Sequence, residues 1–235
     1  MNYHPLLKSL QGKLIVSCQA EYGHPWSTPE TLAALACAAE AGGAAAIRAN
    51  GPENIAAISG MVKVPLIAIY KIVTPNSDVY ITPDFESALA VYNAGQPSPS
   101  IIAVDCTPRP RSGGADWRTL ISRIKNELGT LVMADISTLD EGIAACDAGA
   151  DIVATTLSGY TDYTSNLLNA GPDIALVRDL ARAVECPVIC EGRIQTPEQA
   201  ALAIEAGAWS VVVGTAITAI DRITSRFVDK ITSMN

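Results

Sequence analysis

Lys71 closes the apolar run Ile67-Ala68-Ile69-Tyr70-Lys71. An amine at the mouth of a buried strand can take a proton from carbon or attack a carbonyl, once desolvation or a nearby cation lowers its pKa from about 10.4. The same position also suits the place where a strand simply meets water. Groups of complementary chemistry close other apolar runs: Gln19, Arg48, Asp105, Asp135, Thr156 and Glu191. Gln19 and Arg48 are hydrogen-bond donors, and Arg48 could depress the amine while Glu191 and Asp135 oppose it. Two glycine turns add a second signal. Glu191-Gly192-Arg193 precedes a helix start at Thr196-Pro197, and Gly214-Thr215 follows Val211-Val212-Val213. Backbone amides there, with Arg193 beside them, suit an anion; two ordinary tight turns would read the same way.

The elements that must position these groups come from an internal near-repeat. An alanine-rich helical stretch ends in Ala-Gly and runs at once into a short strand at 34–48, 142–156 and 201–214, with a looser copy at 88–105. Filling the gaps predicts strands at 14–19, 44–48, 65–71, 101–105, 131–135, 152–156, 187–191 and 210–214. Helices are predicted near 29–41, 52–61, 84–94, 116–128, 139–148, 172–184, 197–206 and 220–233. Strict alternation implies parallel pairing and a closed barrel, so the expected fold is α/β, a single (β/α)8 TIM barrel over residues 1–235. No G-x-G-x-x-G follows the first strand, which disfavours an open doubly wound sheet.

In such a barrel, catalytic groups stand at the C-terminal strand ends, and a phosphate often binds after strands seven and eight. The predicted strand ends form a polar ring of Gln19, Arg48, Lys71, Asp105, Asp135, Thr156, Glu191 and Gly214. Two residues earlier stand Ser17, Ala46, Ile69, Ala103, Met133, Ala154, Ile189 and Val212, an almost wholly apolar or small layer. A structural ion-pair network at the mouth is the alternative for the charged members. Loop 74–84 is read as a lid over Lys71 or a passive surface loop, with Val79-Tyr80-Ile81 as a short extra strand. The basic, proline-stiffened loop 106–111 is read as a solvated rim, with substrate contact as the alternative.

Composition narrows the partners. A hydrophobic content of 49% supplies a large core, and a net charge of −8 argues against nucleic acid or an anionic membrane. Six cysteines are scattered through apolar segments without C-x-x-C spacing, so reduced thiols and no metal are expected. No apolar run reaches spanning length, and the expectation is a cytoplasmic protein.

The segments LIVSCQA (14–20), AIRANG (46–51), IAIYK (67–71), VYITP (79–83), DCTPRPR (105–111), MADIS (133–137), TTLSGYT (155–161), EGRIQTPEQA (191–200) and VVVGTAIT (211–218) span nearly the whole chain. In this order the chain resembles the N-acetylmannosamine-6-phosphate 2-epimerase family. The resemblance implies a homodimer that, without cofactor, interconverts the 6-phosphates of N-acetylmannosamine and N-acetylglucosamine. It implies Lys71 as the acid/base at C2, Glu191 assisting, Gln19 and Arg48 on the sugar, and Asp135 and Thr156 supporting the pocket. Gly192, Arg193, Gly214 and Thr215 would receive the phosphate. Two positions depart from the family pattern: Ile72 stands where a second basic residue is common, and Ala219 where arginine is, with Arg222 three residues on. A Schiff-base lyase or synthase using Lys71, or a non-catalytic sugar-phosphate-binding barrel, are the alternative readings.

Overall fold

In a computed structural model, which describes residues 3–20, 23–111, 114 and 116–233, eight parallel strands close into a barrel in the order β1 to β8. They are β1 (Leu14–Cys18), β2 (Ala46–Asn50), β3 (Leu66–Ile69), β4 (Ile101–Asp105), β5 (Leu131–Asp135), β6 (Ile152–Ala154), β7 (Val188–Glu191) and β8 (Ser210–Val213). Each run is rich in β-branched and small residues, buried on both faces because helices cover the outside.

Alternation along each strand builds an inner core and an outer layer, the outer layer divided into one cluster over β1–β3 and another over β4–β8. Ile15, Ala46, Ile67, Ile69, Ile101, Ala103, Met133, Ile152, Ala154, Ile189 and Val212 pack inside the barrel. Their neighbours Ile102, Val104, Val132, Ala134, Val153, Val188, Cys190, Val211 and Val213 face the helices. The expected apolar layer therefore exists as a physical layer. A helix not foreseen from the pattern, α1 (Pro5–Leu10), adds Leu7 and Leu10 to the inner core.

The barrel helices are α2 (Pro29–Ala41), α3 (Pro52–Ser59), α4 (Phe85–Ala94), α5 (Trp117–Arg123), α6 (Leu139–Asp147), α7 (Ile174–Ala183) and α8 (Pro197–Glu205), followed by α9 (Thr215–Thr218) and α10 (Ile220–Thr232). Thr28, Asp84, Thr138, Asp173 and Thr196 cap their helices through side-chain oxygens, each satisfying a backbone N–H that the helix itself leaves unpaired. A π-helical turn, Ile124–Leu128, completes the segment predicted as one helix to 128.

Six of the eight strands have bounds that differ from expectation, and the shifts at β1, β2, β3, β6 and β8 change where predicted site residues stand. Strand β2 starts at Ala46, because Ala44 still closes α2 through its N–H to the Ala39 carbonyl at 3.0 Å. Arg48 is thus a mid-strand residue, and Asn50 ends the strand. Strand β3 stops at Ile69, which leaves Lys71 outside the sheet. After Ala154 the chain turns into a 3-10 helix, Thr155–Leu157, so Thr156 sits in a turn, and β8 ends at Val213, before Gly214. No helix among the described residues is long and apolar enough to cross a membrane.

Candidate active site

The inward-facing alternation brings Ser17, Arg48, Asp135 and Glu191 to the C-terminal half of the barrel, beneath a cavity of about 710 Å³. Arg48 is 1% exposed and meets Asp135 as a bidentate pair, Nη1 to Oδ1 at 3.0 Å and Nη2 to Oδ2 at 2.5 Å. Nη1 also donates to Glu191 Oε2 at 2.7 Å. Thr156 Oγ1 donates to Asp135 Oδ1 at 2.6 Å and lies 3.3 Å from Glu191 Oε2. Asp135 has no exposed surface and is not on the cavity wall; it lies under Arg48 and holds it. Arg48, Thr156 and Glu191 do line the cavity, so the structure unites these four predicted residues in one network.

Two pKa shifts describe its electrostatics. Burial pulls the Arg48 guanidinium down, but the charges of Asp135 and Glu191 and their hydrogen bonds reverse this and leave it raised. Glu191 is pushed up to about 7, first by desolvation and then by the Asp135 charge, against the attraction of Arg48 and Lys71 and the Thr156 hydroxyl. A carboxyl near 7 exchanges protons readily at neutral pH.

Lys71 lines the same cavity from β3, which stands four strands from β7 in the closed order and therefore across the barrel from Glu191. Its backbone forms an antiparallel bridge with Ile81, flanked by Ile72 N–H to Tyr80 O at 2.9 Å and Thr82 N–H to Tyr70 O at 2.8 Å. The segment 79–82 therefore returns to the chain around Lys71, with Val79, Ile81 and Thr82 buried. That part of loop 74–84 is barrel wall, and Tyr80 is one of its cavity residues. Gln19, just past β1, also reaches the cavity. Its Nε2 donates to Ser17 Oγ at 2.7 Å, and its buried Oε1 has no partner among the described residues.

Gly192, Arg193, Gly214 and Thr215 line the β7–β8 side of the cavity. Gly192 has φ +107°, a conformation that L side chains rarely adopt. A Cβ on Gly214 would stand 3.2 Å from that of Ser17, so glycine lets this turn approach β1. The first N–H groups of α9 have no partner within the helix. Arg193 behaves differently from expectation in one respect. Its Nε donates to the Gly171 carbonyl at 3.0 Å and its Nη1 to the Ser158 carbonyl, so its side chain clamps the β6 loop to the β7 loop. Arg222, on α10, faces the cavity with its side chain 72% exposed.

Asp105 does not join the network. Arg109 Nη2 donates to its Oδ2 at 2.6 Å, Thr107 Oγ1 donates to its Oδ1 at 2.6 Å, and Arg111 Nη2 donates to its backbone carbonyl. Arg111 also reaches the Pro83 carbonyl at 3.2 Å. Loop 106–111 is therefore a clamp on loop 74–84 rather than a wholly solvated rim: the β4 carboxylate draws both arginines inward, while Pro108 and Pro110 stay exposed. Sequence reasoning did not single out Asn50, Tyr80, His24 or Trp26, which also line the cavity. Only the short polar interruption Asn50-Gly51-Pro52 at a strand-to-helix junction carried a local signal.

Known proteins share this architecture along nearly the whole chain. The NanE family model, described as "Putative N-acetylmannosamine-6-phosphate epimerase", matches residues 32–233. A relative bearing the same description as a 2-epimerase, from Caldanaerobacter subterraneus subsp. tengcongensis, is 48% identical over 224 residues, covering 95% of this chain and 92% of that one. One from Cutibacterium acnes is 43% identical over 226 residues, covering 95% and 96%. The solved structure of the N-acetylmannosamine-6-phosphate 2-epimerase from Clostridium perfringens superposes with a TM-score of 0.90 at 42% identity, covering 97% of each chain. The thiamine phosphate pyrophosphorylase of Pyrococcus furiosus, at 16% identity and TM-score 0.61, shares the fold alone. With a family match over residues 32–233 and such relatives end to end, the chain belongs to the N-acetylmannosamine-6-phosphate epimerase family.

Proposed function

We propose that the protein epimerises N-acetylmannosamine 6-phosphate at C2 to N-acetylglucosamine 6-phosphate, in amino-sugar catabolism and without a cofactor. The observation that carries this reading is the placement of Lys71 and Glu191 on opposite walls of one cavity, with Glu191 raised to about 7. C2–H lies beside the C1 carbonyl of the open-chain sugar. Once Lys71 has released its ammonium proton, its amine takes the C2 proton and becomes an ammonium again, while the electron pair moves through C1 to O1. Protonated Glu191 gives its proton to O1, so no free enolate persists. In return, Glu191 takes the O1 proton back, and the Lys71 ammonium delivers its proton to the opposite face after the intermediate turns about C2–C3. Arg48 and Gln19 hold the sugar and its N-acetyl group, the bare Gln19 Oε1 accepting the substrate N–H. Asp135 and Thr156 hold Arg48 and Glu191 in place.

The phosphate lies across the cavity from Lys71, on the backbone N–H groups around Gly192, Arg193, Gly214 and Thr215. Arg193 spends two side-chain donors on carbonyls, so Arg222, exposed and with its Nε 3.9 Å from Asp221 Oδ2, supplies the cation. The proposed protein is a homodimer. Helix α10 buries none of its residues, and Phe227, Val228 and Ile231 are 69, 54 and 65% exposed, an apolar face suited to a second copy. Six free cysteines suit a reducing compartment, and the cytoplasm is the proposed location.

The test is substrate C2–H exchange in D₂O. Wild-type protein should exchange and convert both hexosamine phosphates, and Lys71→Ala should lose both activities. Wild-type protein that exchanges neither sugar overturns the reading.

A further inference from the structure

Lys71 lies two residues beyond the end of β3, where the sheet no longer holds the backbone. The parallel ladder between β2 and β3 shows what is missing. Ile47 N–H donates to the Pro65 carbonyl at 3.0 Å and Gly51 N–H to the Ile69 carbonyl at 2.9 Å. Continued by the same alternation, the next bond would run from Lys71 N–H to the Gly51 carbonyl. That carbonyl is already taken, because Ile55 N–H donates to it at 3.0 Å as the first bond of α3. Gly51, with φ +87°, has turned the chain into the helix, and Pro52 follows.

The vacant acceptor is supplied by a side chain. Asn50 Oδ1 accepts the Lys71 N–H at 2.7 Å. Asn50 itself is held by register pairing with Ile69 and by Asn54 Nδ2, which donates to its carbonyl at 2.7 Å. A backbone N–H can only donate, so the contact also orients the Asn50 amide, oxygen toward Lys71.

We propose that Asn50 is the positioning residue for Lys71: its amide oxygen replaces the ladder bond that α3 consumes and sets where the amine enters the cavity. The antiparallel bridge to Ile81 restrains the other side of the Lys71 backbone, so removing either support lets the amine shift relative to C2. This rests on the epimerase reading, in which Lys71 moves the C2 proton. A carboxylate oxygen can accept the same N–H, so aspartate substitutes for the function of Asn50 and alanine cannot.

The experiment compares wild type, Asn50→Ala and Asn50→Asp by two readouts, after circular dichroism shows that each is folded. The first is deuterium uptake at the Lys71 backbone amide by mass spectrometry, which needs no substrate. The second is kcat and KM for C2–H exchange on N-acetylmannosamine 6-phosphate. Asn50→Ala should lose amide protection and about 10- to 100-fold in kcat, with KM within about twofold. Asn50→Asp should regain protection and most of kcat. The proposal is overturned by a kcat unchanged in Asn50→Ala, by a loss confined to KM, or by protection returning in Asn50→Asp without kcat. Wild type without C2 exchange defeats the epimerase reading, and the catalytic role of Asn50 with it, while a protected Lys71 amide would still report the hydrogen bond.

Discussion

Arg48 and Asp135, 87 residues apart in the chain, meet inside the barrel as a bidentate pair in which neither side chain exceeds 1% exposure. A buried pair of this kind is costly to break, since removing one partner leaves the other charged and unsolvated. Asp135→Ala should therefore destabilise the fold by about 3–5 kcal/mol. For a chain of this size the thermal midpoint should fall by roughly 10 °C. The double variant Arg48→Met/Asp135→Leu should recover part of that stability, because neither member of the pair is left facing a missing partner although Glu191 loses its contact to Arg48, and it should remain inactive. Calorimetry beside the D₂O exchange assay separates the two effects.

Glu191 predicts a pH dependence of defined sign. Its folded pKa, about 7, lies above its ordinary 4.5. Between those values the folded protein keeps a proton that the unfolded chain releases, so stability from this group falls as pH rises and levels off above 7. The stability difference between wild type and Glu191→Gln should decline by at most about 1.4 kcal/mol per pH unit across that window. Urea titrations at several pH values measure it, and a difference that rises with pH contradicts the assignment.

Two arginines near the β7–β8 loops should behave differently. Arg222 is exposed and faces the cavity, whereas Arg193 is engaged with the Ser158 and Gly171 carbonyls. Arg222→Ala should lower kcat/KM for the 6-phosphate by about 10- to 100-fold, the value of one charge-assisted contact. It should leave any activity on the unphosphorylated sugar unchanged. Arg193→Ala should instead impair both sugars alike and lower the thermal midpoint, because it frees the β6 loop. Equal effects of both variants on both substrates would remove the distinction.

Helix α10 carries the dimer prediction. Phe227 and Ile231 lie four residues apart, one turn on the same helix face, and both are largely exposed. Light scattering should find a dimer in wild type and a monomer in Phe227→Glu/Ile231→Glu. A monomeric wild type would refute it.

The sequence by itself determined the barrel. Alternation of helices and strands, the Ala-Gly closures and the period-two apolar layer are local or periodic properties, and the closed order β1 to β8 follows from them. It also determined which side chains could meet, since Gln19, Arg48, Lys71, Thr156 and Glu191 all reach one cavity. What only the tertiary structure decided was what each group is paired with. Arg193 and Arg48 have the same local appearance, a cation near a strand end; one clamps two loops, and the other is locked between Asp135 and Glu191. Asp105 and Asp135 are cross-strand neighbours in β4 and β5, yet one is claimed by its own loop's arginines and the other by Arg48. The support that Asn50 gives Lys71 exists because α3 takes the carbonyl that the ladder would have used. Hydrogen-bond partners and desolvation depend on distances between segments far apart in the chain, and no local pattern encodes them.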